Sequence, residues 1–170
     1  RDKGINELVY AFKRLLFKNK KFKLLLVGNF ENELDPLKKD VIDEINSNPN
    51  ILFVGYQKDI RPYLAISNCF VFPSYREGFP NVILQAGAMN VPCIVSNING
   101  CNEIIKNRIN GILISRKDVG ELKEAMLKIS KDDDLRNKLS KNSRQIILKN
   151  FDQKSIWESL RNEYKILSNV

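Results

Sequence analysis

The chain has 170 residues, 43% apolar and 28% charged, with a net charge of +8 and no histidine. This is the balance of one ordinary globular domain, and no run approaches the roughly 18 apolar residues of a membrane span. Without histidine the chain alone cannot build a Ser-His-Asp triad, a Cys-His pair or a His-ligated zinc. In chain order, Ile5, Leu8, Val9, Phe12, Leu15 and Leu16 fall on one face of a helix over residues 4–19. "KLLLVG" reads as a buried strand ending at Gly28. Asp35-Pro36 pairs a capping residue with a first-turn proline and predicts the start of a second helix, with Leu37, Val41, Ile42 and Ile45 inward. "ILFVG" is a second strand, ending at Gly55. A short helix over residues 62–67 leads into the third strand, "CFVFP". A helix over 80–90 precedes the fourth strand, "PCIVS", and a short helix over 101–107 precedes the fifth, "GILIS". Asp118 and Glu121 have the spacing of a capping pattern for a helix over 118–130. Helices over 133–149 and 153–167 close the chain.

Strands without alternation, separated by helices, indicate a parallel sheet buried on both faces. The expected class is α/β, a doubly wound Rossmann-like domain over residues 1–170. Cys69, Cys93 and Cys101 have no C-x-x-C spacing and read as small core hydrophobes in a reducing cytosol. The last helix carries Ile156, Trp157, Leu160, Tyr164 and Leu167 on one face. That face is expected to pack on this domain or on one that is absent. An arginine at position 1, with a helix starting at once, points to a fragment of a longer protein.

One segment departs from generic patterning. "FPSYREGFPNVILQ" follows the third strand, and in open α/β sheets ligands bind beyond the carboxyl ends of the strands. Pro80 suits a first helical position, which leaves the Asn81 and Val82 amides unpaired at a helix start. Unpaired amides and the helix dipole favour an anion. Gly78 lets backbone approach a ligand, Glu77 offers an acceptor for hydroxyls, and Gln85 sits about one turn inside the helix. A diphosphate flanked by hydroxyls, as in a nucleotide sugar, fits these parts. A plain polar loop with a solvent-facing Glu77 fits them too. Lys3, just before a helix, is either a surface lysine or a phosphate ligand that offsets its poor match to the dipole.

These residues carry a resemblance to a known family. The sequence resembles the C-terminal, donor-binding domain of glycosyltransferase family 4 enzymes of GT-B fold, of the bacterial capsular or surface-polysaccharide type. The likeness runs from Lys3-Gly4 to the final helix and is most specific over "PSYREGFPNVILQAGAMNVPCIVSNINGCNEIIKNRINGILI". It implies that Glu77 contacts the donor sugar, that backbone of Gly78, Phe79, Pro80, Asn81 and Val82 approaches sugar and diphosphate, and that Lys3 binds phosphate. Gln85 matches a second family glutamate that holds the ribose. The turn Gly55, Tyr56, Gln57 and Lys58 matches the turn whose backbone holds the base. The implied reaction retains configuration and needs no metal or other cofactor. The donor would be a uridine-type diphosphate sugar, and the acceptor a glycan or lipid-linked sugar reached through an N-terminal domain. The setting would be cytoplasmic, with peripheral contact at the inner membrane face and no nucleic acid.

Three departures from the pattern stand out. Gln85 replaces a glutamate, the family's arginine falls upstream of Arg1, and so does a strand expected to be central to the sheet. The N-terminal acceptor domain is absent too, so the chain alone is expected to be inactive. A retaining glycosidase would need two carboxyls roughly 5 Å apart. Two helical turns separate positions 77 and 85 by roughly 12 Å, and position 85 is an amide. The competing class is a non-catalytic basic module for nucleic acid or anionic membrane, suggested by the charge. Its lysines are spread rather than clustered, which disfavours a nucleic-acid stripe.

Overall fold

The computed structural model describes residues 1–31 and 33–168. Strands and helices alternate as α1 (Ile5–Leu16), β1 (Leu24–Leu26), α2 (Lys39–Ser47), β2 (Ile51–Phe53), α3 (Arg61–Ala65), β3 (Phe70–Phe72), α4 (Asn81–Ala88), β4 (Cys93–Ser96), α5 (Cys101–Ile104), β5 (Gly111–Ile114), α6 (Val119–Lys131), α7 (Asp133–Asn150) and α8 (Gln153–Ser168). Every strand pair is parallel, with Leu24 opposite Ile51, Phe70 opposite Cys93 and Cys93 opposite Gly111. This is the expected doubly wound α/β class. The ladder is interrupted, however: β1 and β2 form one piece, and β3, β4 and β5 form another. Among the described residues β1 and β3 do not bond to each other, which agrees with the expectation that a central strand is missing from the ladder.

Side-chain alternation along the strands assigns the two faces. Ile94 of β4 joins Leu24, Leu26, Phe12, Val41 and Leu122 in a core under α1, α2 and α6. Its neighbours Cys93 and Val95 join Ile83, Ala86, Ile104 and Ile147 in a second core under α4, α5 and α7. The first core takes residues from both pieces of the sheet, so packing bridges the gap that hydrogen bonding leaves. α1 buries Leu8, Val9, Phe12 and Leu15, the face read from its periodicity. Asp118 caps α6 by accepting the Glu121 amide at 2.8 Å, as its spacing predicted. Among the described residues no helix is long and apolar enough to cross a membrane.

One helix start is corrected. α2 begins at Lys39, not at Asp35-Pro36. The Asp35 carboxylate is drawn away from a capping role because it accepts the Asp2 amide at 2.5 Å. A contact 33 residues distant has displaced a local one. Of the two surfaces expected for the apolar face of α8, this domain is not the one that covers it: the helix has no buried residue, and Trp157 is 62% exposed.

Candidate functional site

The start of α1 is strapped to the end of β3. The Asp2 carbonyl accepts the Tyr75 amide at 2.8 Å, and the Ser74 hydroxyl oxygen lies 3.2 Å from it. Gly4, the residue before α1, has φ +72, and a Cβ there would lie 2.1 Å from the Pro73 carbonyl oxygen. Only glycine lets the two segments approach this closely. Lys3 sits between these anchors, and its Nζ donates to Glu77 Oε1 at 2.7 Å. The ammonium also lies 5.6 Å from the centre of the Phe72 ring. Residues 74 positions apart in sequence are thus brought into an ion pair. The Lys3 side chain is 61% exposed and that of Glu77 only 12%.

Glu77 has a further partner that sequence reasoning missed. Ser74, fully buried, donates its hydroxyl to the same Oε1 at 2.6 Å. The available signal was a serine three residues before a carboxylate in a strand-end loop, a spacing at which local side-chain bonds form. Tyr75 beside it donates to Glu7 Oε2 at 2.5 Å. Burial first, then that bond to Glu7, pushes the phenol well above its ordinary pKa, so it stays a donor. Lys117 lies over the Tyr75 ring at 4.6 Å and Arg116 donates to the Tyr75 carbonyl at 3.3 Å, tying in the loop after β5.

α4 opens the other side of the site. Pro80 is the residue before the helix, with φ −80° and ψ 98°, and not its first helical residue as expected. Its extended ψ prevents it from joining the helix, so Asn81 takes the first position. The Ile83 amide bonds the Pro80 carbonyl at 3.0 Å. Among the described residues the Asn81 and Val82 amides and the Gln85 side chain have no protein hydrogen-bond partner. Gln85 is exposed. A Cβ on Gly78 would meet nothing within 4 Å, so no protein atom requires glycine there. Phe79 turns its ring to Phe151 at the end of α7, 5.8 Å between centres, which leaves its backbone as the part near the site.

The loop before α5 supports this turn from below. A Cβ on Gly100, whose φ is +76, would stand 2.1 Å from the Gly78 carbonyl oxygen. The Gly100 amide donates to Glu103 Oε1 at 3.1 Å. Gly100 and Glu103 have the same spacing as Asp118 and Glu121, a capping signal that the sequence carries here too. Cys101 follows in the core, and burial, aided by the charge of Glu77, pushes its thiol up to about 12. It is unreactive at neutral pH, which agrees with the reading of the cysteines as core residues.

Gly28 and Gly55 both have positive φ and meet through the Gly28 amide and Gly55 carbonyl at 2.8 Å. The Tyr56 amide donates to Asn29 Oδ1 at 3.1 Å, and the Gln57 side chain donates to the Val54 carbonyl at 2.8 Å. Of the turn 55–58, the Tyr56 amide is therefore already engaged, while Lys58 is exposed. Gly28, Asn29, Phe30 and Phe53 line one cleft together with Lys3, and the Phe30 and Phe53 rings stack at 4.3 Å. The structure thus brings Lys3, Glu77 and Ser74 into contact. It sets α4's free amides just after the loop that carries Glu77, while the turn at 55–58 follows β2, in the other piece of the sheet.

The chain is 33% identical over 164 residues to the capsular polysaccharide biosynthesis glycosyltransferase CapM of Staphylococcus aureus, covering 96% of this chain and 43% of that protein. It is 38% identical over 127 residues to the UDP-Gal:alpha-D-GlcNAc-diphosphoundecaprenol alpha-1,3-galactosyltransferase of Escherichia coli, covering 75% of this chain and 32% of that one. The solved structure of sucrose-phosphate synthase from Thermosynechococcus elongatus superposes with a TM-score of 0.84 at 29% identity, over 99% of this chain and 43% of its own. The chain therefore spans less than half the length of each of these proteins. A sequence profile described as Glycosyl transferases group 1 matches residues 1–146, from the strap at Lys3 into α7. Every residue of the site described above, apart from the ring of Phe151 under Phe79, falls inside that match, and the chain belongs to the group 1 glycosyltransferases.

Proposed function

We propose that residues 1–170 are the donor-binding domain of a retaining, metal-independent glycosyltransferase. It moves a hexose from a uridine diphosphate sugar to a glycan or lipid-linked acceptor in surface-polysaccharide synthesis. The observation that carries the reading is the convergence of the Lys3 ammonium and the Glu77 carboxylate beside the unpaired Asn81 and Val82 amides. Cation and amides suit a diphosphate. The carboxylate suits sugar hydroxyls.

The donor diphosphate is the leaving group. As the bond from the anomeric carbon to its oxygen breaks, the electron pair moves onto that oxygen. Lys3 and the helix amides stabilise the growing charge. Glu77 orients the hexose, the unpaired Gln85 side chain holds the ribose, and backbone at Gly55 to Lys58 holds the base. Groups acting on the acceptor hydroxyl come from outside this chain. The uridine and the lipid-linked acceptor are supported by the name of the E. coli relative, and the polysaccharide setting by that of the S. aureus relative. With a nucleotide sugar as donor and a lipid-linked acceptor, the proposed setting is the cytoplasmic side of the membrane. The +8 charge favours peripheral contact with anionic headgroups there.

Calorimetry of the full-length protein with UDP and with a DNA duplex, each at two salt concentrations, tests the reading. UDP should bind and the duplex should not. Duplex binding that collapses with salt, without a UDP signal, would replace this reading with a basic nucleic-acid module. Position 85 has its own test. Gln85→Glu should keep UDP affinity within about fivefold, since a carboxylate still accepts ribose hydroxyls and a single lost hydrogen bond is worth about 1 kcal/mol. A hundredfold loss would assign Gln85 a different role.

A further inference from the structure

We infer that Ser74 is a positioning residue for Glu77, and that it becomes the carboxylate's sole protein anchor when a donor binds. The inference rests on the proposed role of Glu77 in holding the hexose. Glu77 Oε1 accepts two bonds, from Lys3 at 2.7 Å and from Ser74 at 2.6 Å. Among the described residues Oε2 has no partner, so the carboxylate has one fixed oxygen and one open one. The two anchors differ in what a ligand does to them. Lys3 is exposed and flexible, and a diphosphate with its higher charge competes for it. Ser74 is fully buried and cannot leave. Once Lys3 turns to phosphate, the Ser74 hydroxyl alone fixes the direction in which Oε2 points. A short rigid side chain does this at little entropic cost.

Ser74→Ala isolates the bond. The Asp2 carbonyl, which Ser74 also approaches at 3.2 Å, keeps the Tyr75 amide at 2.8 Å, and the Arg76 carbonyl at 3.3 Å belongs to an exposed residue, so no buried backbone acceptor is orphaned. The variant should fold, and Ser74→Thr, which restores the hydroxyl, serves as the rescue. The experiment titrates the full-length protein with UDP and, in parallel, with UDP-glucose, UDP-galactose and UDP-N-acetylglucosamine. The quantity read is the ratio of UDP affinity to the affinity for the best of the three sugars. Ser74→Ala should leave UDP binding within twofold and reduce the sugar's added affinity about tenfold. Ser74→Thr should recover it. In a Glu77→Gln background, Ser74→Ala should have no further effect.

Equal losses for UDP and UDP-sugar would show a general structural role and overturn the inference. So would an unchanged ratio in Ser74→Ala when Glu77→Gln has lost it. If Glu77→Gln itself leaves the ratio unchanged, or no sugar adds to UDP, it is the role of Glu77 that fails, and the inference falls with it.

Discussion

Gly100→Ala in the full-length enzyme is expected to lower stability by about 2–4 kcal/mol and to remove measurable UDP-sugar binding, whereas Gly78→Ala should remove the binding alone. Both glycines belong to one contact, yet they face different surroundings. At Gly100 the new Cβ would stand 2.1 Å from the Gly78 carbonyl oxygen, 2.9 Å from its carbon and 3.1 Å from Pro80. Backbone must shift, and the φ of +76 is itself unfavourable for alanine. Strain of this kind and overpacking each contribute about 1–3 kcal/mol. The shift moves the 78–80 turn, and with it the start of α4 and its free amides. At Gly78 the Cβ enters open space, so stability should stay within about 0.5 kcal/mol. Any loss of donor affinity in Gly78→Ala must then come from the ligand's own need for that space. Denaturant unfolding and UDP-sugar calorimetry on the two variants separate the effects. Normal donor binding in Gly78→Ala would mean that the donor does not approach this backbone.

Much of this architecture could be read before the structure. The five apolar runs are short, continuous and punctuated by glycine or proline, and each became a strand. The face of α1 followed from its 3.6-residue period, and the start of α6 from a local capping pattern. What could not be read depends on contacts distant in sequence. Asp35 has the chemistry of a cap, but the Asp2 backbone, which the chain folds against it, takes the carboxylate first. Glu77 was legible as a lone acceptor at a strand end. Its pairing with Lys3 and Ser74 requires α1 to be strapped to β3, which the Gly4 conformation permits and no periodicity reveals. The apolar stripe of α8 was legible as a stripe, yet periodicity says nothing about which surface covers it.

Glu77→Ala and Lys3→Ala break the same ion pair and are expected to move UDP affinity in opposite directions. The bond between Lys3 Nζ and Glu77 Oε1, at 2.7 Å, holds the cation that the diphosphate needs. Removing Glu77 frees Lys3 and should tighten UDP binding about two- to fivefold, within the 0.2–1 kcal/mol typical of a pair with an exposed partner. Removing Lys3 deletes a charge-assisted contact to phosphate, worth roughly 1.5–3 kcal/mol, and should weaken UDP binding at least tenfold. Stability should change little in either case. Lys3 is mostly exposed, and the Ser74 hydroxyl freed by loss of Glu77 still has the Asp2 and Arg76 carbonyls within 3.2 and 3.3 Å. Turnover should behave differently from binding. Both variants should lose at least a hundredfold, the scale seen when one preorganised group of a catalytic site is deleted. Glu77→Ala would thus bind the nucleotide better and transfer the sugar far worse, because the carboxylate acts on the hexose and not on the diphosphate. Equal weakening of UDP by both substitutions would make the pair a structural clasp. Near-normal turnover in Glu77→Ala would remove the carboxylate from the mechanism altogether.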